Sequence, residues 1–402
     1  MWILFASSDF LPTIGGVSLM VHGLAEACVG LGHQVAVLAP AVEGDPGPAL
    51  PYRVFRDARV DPRLPGRLAR LANDRRVARW TRGLVEELRP DAIVVGFYKD
   101  FGQACLKLRD RLDIPIGGLV HGFDVASVLE SGRTGPIARV AGAIGYPTAR
   151  KRVLSYLAES DCLFANSTVT SAYVESKCGR KPITVGCGVS AGAVSAMSRP
   201  DLARSVRAEA RGQLGLKEAP TVGFLGRLVA RKNVESILKS LTAMPGVRAL
   251  ILGDGPARES LLALAAALGV DDRVFFAGPV DEKSKWEHLR AMDVFCLPSK
   301  DIGGYNFEGF GIAFLEATVA GVPVVGGRSG GIPDVVKHEA TGLLADPDDW
   351  REVASCLRRM LEDEQLAARC VLAAQTEVRD RFNWPAIAGR IIDELRKTRG
   401  KR

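Results

Sequence analysis

Short apolar runs separated by helix-length segments occur in two successive series along this 402-residue chain, and that rhythm restricts the fold more than any other feature. The first series is Trp2 to Ala6, Gln34 to Ala39, Ala92 to Val95, Ile116 to Val120, Cys162 to Ala165 and Ile183 to Val185. Runs this short and uniformly apolar suit strands covered on both faces, and strands that alternate with helices pair in parallel. After a stretch of small and polar residues at 187–200, the rhythm restarts with Thr221 to Leu225, Ala249 to Leu252, Val274 to Phe276, Val294 to Leu297 and Val322 to Val325. The expected fold is α/β, with two Rossmann-like, doubly wound parallel-sheet domains. Such sheets bind ligands beyond the carboxyl ends of their strands, so two of them facing each other would enclose a central cleft.

The length allows each domain its own core. Eight cysteines, at 28, 105, 162, 178, 187, 296, 356 and 370, form no CxxC pair, which points to neither a zinc site nor a disulfide framework and fits a reducing cytoplasm. The opening MWILFASSDF lacks the basic start of a signal peptide, and no apolar run approaches the ~18 residues that span a bilayer. A cytoplasmic protein is expected, either soluble or peripheral at the inner membrane. The net charge of +7 is uneven: residues 1–200 hold 24 basic and 18 acidic side chains, residues 201–380 hold 22 and 26, and residues 381–402 hold 7 and 2. Segment 63–82 has seven arginines against the single acid Asp74. It either meets an anionic membrane surface or a phosphorylated substrate, or is a solvated face over a core stripe of Leu64, Leu68 and Leu71.

Between Asn306 and Gly321, NFEGFGIAFLEATVAG sets two carboxylates, Glu308 and Glu316, eight positions apart around a glycine-rich helix start. The residues from 309 onward are apolar on every side apart from Glu316, which predicts a buried helix and a partner for that acid. Gly309 and Gly311 clear space at unpaired helical amides, where anions and hydroxyl-rich ligands bind. Gly309, Ile312 and Glu316 share a helical stripe that places Glu316 roughly 10 Å down the axis, a spacing suited to a ligand polar at both ends. The alternative is a Glu316 paired to a structural arginine, with Glu308 a solvated loop acid.

Other strand ends carry candidates as well. Gly15 and Gly16 follow the first strand and offer backbone amides to a phosphate. His121 ends the strand GGLV, where a side chain enters the cleft more often than the core. Arg227 and Lys232 flank the loop GRLVARKN and can grip a diphosphate from two sides, the arginine as a fork and the lysine as a point charge. Gly253 opens the turn GDGP, with Pro256 expected at the first position of the next helix. Arg258 stands where the third glycine of a dinucleotide fingerprint belongs, so the NAD reading is weak.

In this order, the GG loop with GHQV, then HGFD, ANS at 165–167, GRLVARKN, GDGP, FAGPV, EGFGIAFLE, GVPVV, SGGIPDVV and TGLL resemble the retaining glycosyltransferases of family 4, which have the GT-B fold. The resemblance covers nearly the whole chain. It implies that Gly16, Arg227 and Lys232 contact a donor diphosphate. Glu308 with Gly309, Phe310 and Gly311 would bind sugar hydroxyls, Glu316 the ribose, and His121 the transferred sugar. Gly15, Gly253, Val280 and Ile312 complete the implied donor site, and His121, Arg227, Lys232 and Glu308 are the implied catalytic residues. An acceptor-binding domain of residues 1–186, joined by a returning helix in 381–402, would face a donor-binding domain of residues 187–380.

The implied reaction is a metal-independent, retaining hexosyl transfer (EC 2.4) from a UDP- or GDP-sugar to the hydroxyl of a glycolipid or cell-envelope glycan precursor. A soluble small-molecule acceptor, or a nucleotide-sugar epimerase, is the alternative. The nucleotide sugar is a co-substrate, and neither a cofactor, a metal nor a nucleic acid is called for. The returning helix would make the acceptor side basic, which suits an anionic acceptor or membrane lipid. At the domain junction GCGVS replaces the family's asparagine and aspartate with Cys187 and Ser190, which puts contacts there, rather than the donor site, in question.

Overall fold

A computed structural model describes residues 1–13, 15–42, 49–57, 67–130, 149–197, 203–216 and 218–399. Contacts along the chain divide it into Met1–Ala191 with Asn383–Arg402 as one unit and Gly192–Phe382 as the other. In the first unit β1 (Trp2–Ala6), β2 (Gln34–Pro40), β3 (Arg53–Asp57), β4 (Ala92–Val95), β5 (Ile116–Val120), β6 (Cys162–Ala165) and β7 (Ile183–Thr184) form a parallel sheet in the order β3-β2-β1-β4-β5-β6-β7. β3 was not expected from the apolar runs. Its sequence RVFRD has only two apolar residues, which an edge strand tolerates because one side lacks a covering neighbour.

The second unit has β8 (Thr221–Leu225), β9 (Arg248–Leu252), β10 (Val274–Gly278), β11 (Val294–Leu297), β12 (Val324–Gly327) and β13 (Leu343–Ala345), parallel in the order β10-β9-β8-β11-β12-β13. Both sheets reverse their winding beside their first strand, between β1 and β4 and between β8 and β11. Those two switch points are where side-by-side loops diverge and leave a ligand crevice.

The helix Trp384–Arg399 belongs to the first unit. It lies against the helix Gly16–Gly30, where a Cβ on Gly23 would sit 2.2 Å from Trp384 Nε1, so only glycine admits the indole. Arg390 donates to the Val185 carbonyl at 2.8 Å, and the Trp384 amide to that of Val189 at 3.0 Å. Of the basic segment, residues 63–66 and the side chains of 67–74, Leu64, Leu68 and Leu71 included, lie outside the described residues. The described part of the helix Arg67–Leu88 exposes Arg75, Arg76, Arg79 and Arg82 and buries Val77, Thr81, Leu84 and Val85. No helix among the described residues is long and apolar enough to cross a membrane.

Candidate functional site

Three turns stack at the carboxyl ends of β8, β9 and β10. Gly253, at φ +121°, lies so close to the β8 turn that a Cβ would meet the Gly226 oxygen at 2.1 Å, and a Cβ on Gly255 would meet Leu228 O at 2.4 Å. The Leu228 amide donates to Asp254 O (2.9 Å), and the Gly253 amide to Gly278 O (2.7 Å), two residues before half-buried Val280. Backbone packed this tightly fixes the β8 loop, which flanks the switch point, against the β9 and β10 turns. Pro256 precedes the helix Arg258–Ala267 by two residues instead of opening it.

Across the switch point, the loops after β8 and β11 meet at Glu308. Its Oε2 takes Lys232 Nζ at 2.5 Å and Arg231 Nη1 at 2.7 Å, with Ser299 Oγ at 3.4 Å. Glu308 is 8% exposed, so it is no solvated loop acid. Burial pushes its pKa up, but the charges of Lys232 and then Arg231 outweigh this and hold the carboxyl at about 2. For Lys232, burial outweighs Glu308 and lowers the pKa. Arg227 is exposed and pairs with no acid among the described residues. Buried Asn233 at φ +56° donates to the carbonyls of Pro298 (3.1 Å) and Pro347 (2.7 Å), tying the β8 turn to two neighbouring loops. The Gly331 amide donates to Glu308 O at 2.8 Å.

Glu316 finds a lysine, not an arginine: Lys285 Nζ, from the helix Glu282–Arg290, lies 2.6 Å from Oε1 and 2.7 Å from Glu282 Oε2. Burial opposes the ammonium, yet the two acids, Glu316 first, raise its pKa. The two motif glutamates share one feature, although Glu308 has Arg231 besides its lysine. Each gives one oxygen to a lysine, and the other takes no donor among the described residues.

The helix after the motif runs over Ile312–Val319 and starts later than expected. Gly311 sits at φ +93°, a left-handed conformation that a right-handed helix cannot continue, so Gly309 lies outside the helix and the 10 Å stripe from Gly309 does not apply. Nor is the helix covered all round: Ile312, Ala313 and Glu316 form a half-buried strip while Phe314, Leu315, Ala317, Thr318 and Val319 are buried. Phe310 is core, its ring 5.4 Å edge-on from Phe382.

In the first unit, the Gly15 amide donates to Ser18 Oγ at 2.8 Å and is thereby occupied, while Gly16, the first helical residue, is exposed. His121 is half-buried beside the β1/β4 switch point, and its Nε2 donates to Gly96 O at 2.8 Å. Asp124 Oδ1 accepts the His121 amide at 3.2 Å. Arg231, Lys285 and Asn233 were not singled out in the sequence. Asp346 Oδ1 accepts the Asp348 amide (2.9 Å) and Asp349 caps the helix Trp350–Glu362, so this acidic loop serves a helix start. No cluster of metal-ligand side chains occurs among the described residues.

The sequence models described as Glycosyltransferase Family 4 and as Glycosyl transferases group 1 match residues 14–191 and 206–377. The lipopolysaccharide core biosynthesis glycosyltransferase LpsE of Rhizobium meliloti is 30% identical over 251 residues, which cover 62% of this chain and 67% of that protein. The chain belongs to glycosyltransferase family 4. Within that family it is also similar to the GDP-mannose-dependent alpha-(1-6)-phosphatidylinositol monomannoside mannosyltransferase of Mycobacterium tuberculosis, at 39% identity over 206 residues. That match takes in 49% of this chain and spans about half, 52%, of the mannosyltransferase. Among solved structures, sucrose-phosphate synthase from Thermosynechococcus elongatus superposes with a TM-score of 0.79 at 21% identity over 100% of both chains, which shows the shared GT-B fold.

Proposed function

We propose that this family 4 protein is a metal-independent, retaining hexosyltransferase that moves a sugar from a nucleoside diphosphate sugar to the hydroxyl of a glycolipid or cell-envelope glycan precursor. The observation that carries the proposal is Glu308, ionised and anchored by one oxygen beside Lys232 at the β8/β11 switch point. A carboxylate in that state accepts hydroxyl donors from a sugar, and the cations next to it meet a diphosphate. Glu316, with its own open oxygen, accepts from the ribose. GDP-mannose is the first donor to test, because the mannosyltransferase relative is named for it.

In the proposed reaction, the bond from the anomeric carbon to the β-phosphate oxygen breaks, and Arg227, Lys232 and nearby amides stabilise the charge that develops on the leaving diphosphate. The acceptor oxygen bonds to the same face, and its proton passes to a phosphate oxygen. Neither glutamate is needed as a nucleophile, since both are engaged in binding. His121, its ring set by Gly96, would contact the transferred sugar. The basic first unit, with exposed Arg75, Arg76, Arg79 and Arg82, suits an anionic lipid acceptor at a membrane surface.

Incubation with labelled GDP-mannose or UDP-glucose and anionic liposomes carrying extracted bacterial lipids tests the reading. Label should enter the lipid phase with the donor's anomeric configuration and with EDTA present. Inversion, loss of transfer with EDTA, or no transfer from either donor contradicts it.

A further inference from the structure

Glu308 holds two cations where one would neutralise it. Arg231 and Lys232 both bind Oε2, and Oε1 is left open. Both cations sit on the same held turn, where the Lys232 amide donates to Val229 O at 2.9 Å, and they differ in their side chains. The backbone of Arg231 is locked, because its carbonyl accepts the Lys300 amide at 2.9 Å and Asn233, two residues on, is bonded to two further loops. Its guanidinium therefore reaches Glu308 from a turn that is held in place. Lys232 is a compact charge on a flexible stem that runs beside Gly226, where a Cβ would lie 3.7 Å from its Cε. Glu308 remains buried whichever cation stays with it, and a buried carboxylate stripped of every counter-charge is costly.

The geometry points to a division of labour: Arg231 is a positioning residue that keeps Glu308 in place and neutralised, so that Lys232 can exchange Glu308 for a diphosphate oxygen when the donor enters. This rests on the donor-site reading above. With Arg231 present, the departure of Lys232 leaves a paired carboxylate that still presents Oε1 to the sugar. Without it, every contact Lys232 makes to a phosphate removes the last counter-charge of a buried acid and leaves it only Ser299 Oγ at 3.4 Å. Charge agrees with the exchange, since Arg227, Arg231 and Lys232 set against Glu308 leave two positive charges for the diphosphate.

Calorimetric titration of the wild type with GDP, UDP and ADP comes first, and the nucleotide that binds is then titrated into Arg231→Gln, Arg231→Lys and the double variant Arg231→Gln/Glu308→Gln. These nucleotides lack the sugar that Glu308 would hold, so they report on the diphosphate alone. Arg231→Gln should weaken binding roughly tenfold, the size of one charged hydrogen bond. Arg231→Lys should restore most of the loss. Adding Glu308→Gln to Arg231→Gln should also restore it, because Lys232 then has no carboxylate to abandon, and a merely structural arginine would not be rescued that way. If Arg231→Gln does not fold, Arg231→Met replaces it in the same comparison. Undiminished binding by Arg231→Gln, or a double variant no tighter than the single one, overturns the inference while the donor site stands. Failure of all three nucleotides to bind the wild type overturns the donor-site reading and the inference together.

Discussion

Glu308 is the side chain in which burial and charge are most directly opposed. Burial favours its neutral form, Lys232 and Arg231 favour the ionised one, and the cations win by holding the carboxyl at about 2, below the usual 4.5. A group whose pKa is depressed on folding stabilises the fold above its unfolded pKa and loses that contribution as pH falls through the folded value. The advantage of the wild type over Glu308→Gln in urea midpoint should therefore be constant from about pH 5 to 8 and shrink below about pH 4.5; a difference that instead grows on acidification would show that the cations do not set this acid. The motif glutamates were legible in the sequence, but their partners were not. Arg231 and Glu308 are 77 positions apart and Lys285 and Glu316 are 31 apart, so nothing in local spacing announces either pair.

The elements that carry the site are loops, and their positions follow from strands that the sequence shows clearly. Central strands such as Ala92–Val95 and Val294–Leu297 are buried along their whole length and are uniformly apolar. The edge strands Arg53–Asp57 and Leu343–Ala345 carry no clear apolar run, because one is charged and the other is three residues long. The helix start at Ile312 is not legible in the sequence for a conformational reason, since a glycine's φ has no side-chain signature. Gly253 shows what such positions cost. Gly253→Ala forces a Cβ to within 2.1 Å of the Gly226 oxygen at a positive φ, where roughly 1–3 kcal/mol of strain is expected, together with displacement of the turn that carries Arg227. The variant should melt several degrees lower and bind the donor nucleotide more weakly; an unchanged melting temperature would mean that the two turns can separate freely.

Across the whole molecule, charge is segregated in sequence. Residues 201–380 are slightly acidic although they hold the proposed diphosphate site, while the ends of the chain are basic. The cations proposed to hold the donor belong to the β8 turn and not to a broadly basic segment, which makes individual substitutions informative. The most direct measurement is thermal unfolding with UDP-, GDP- and ADP-sugars, made on the wild type and on Arg227→Ala and Lys232→Ala. One donor class at 100 times its Kd should stabilise the wild type by ~2.7 kcal/mol and leave both variants almost unshifted. No shift of the wild type with any of the three, or equal shifts in the variants, would contradict a nucleotide-sugar site at the β8/β11 switch point.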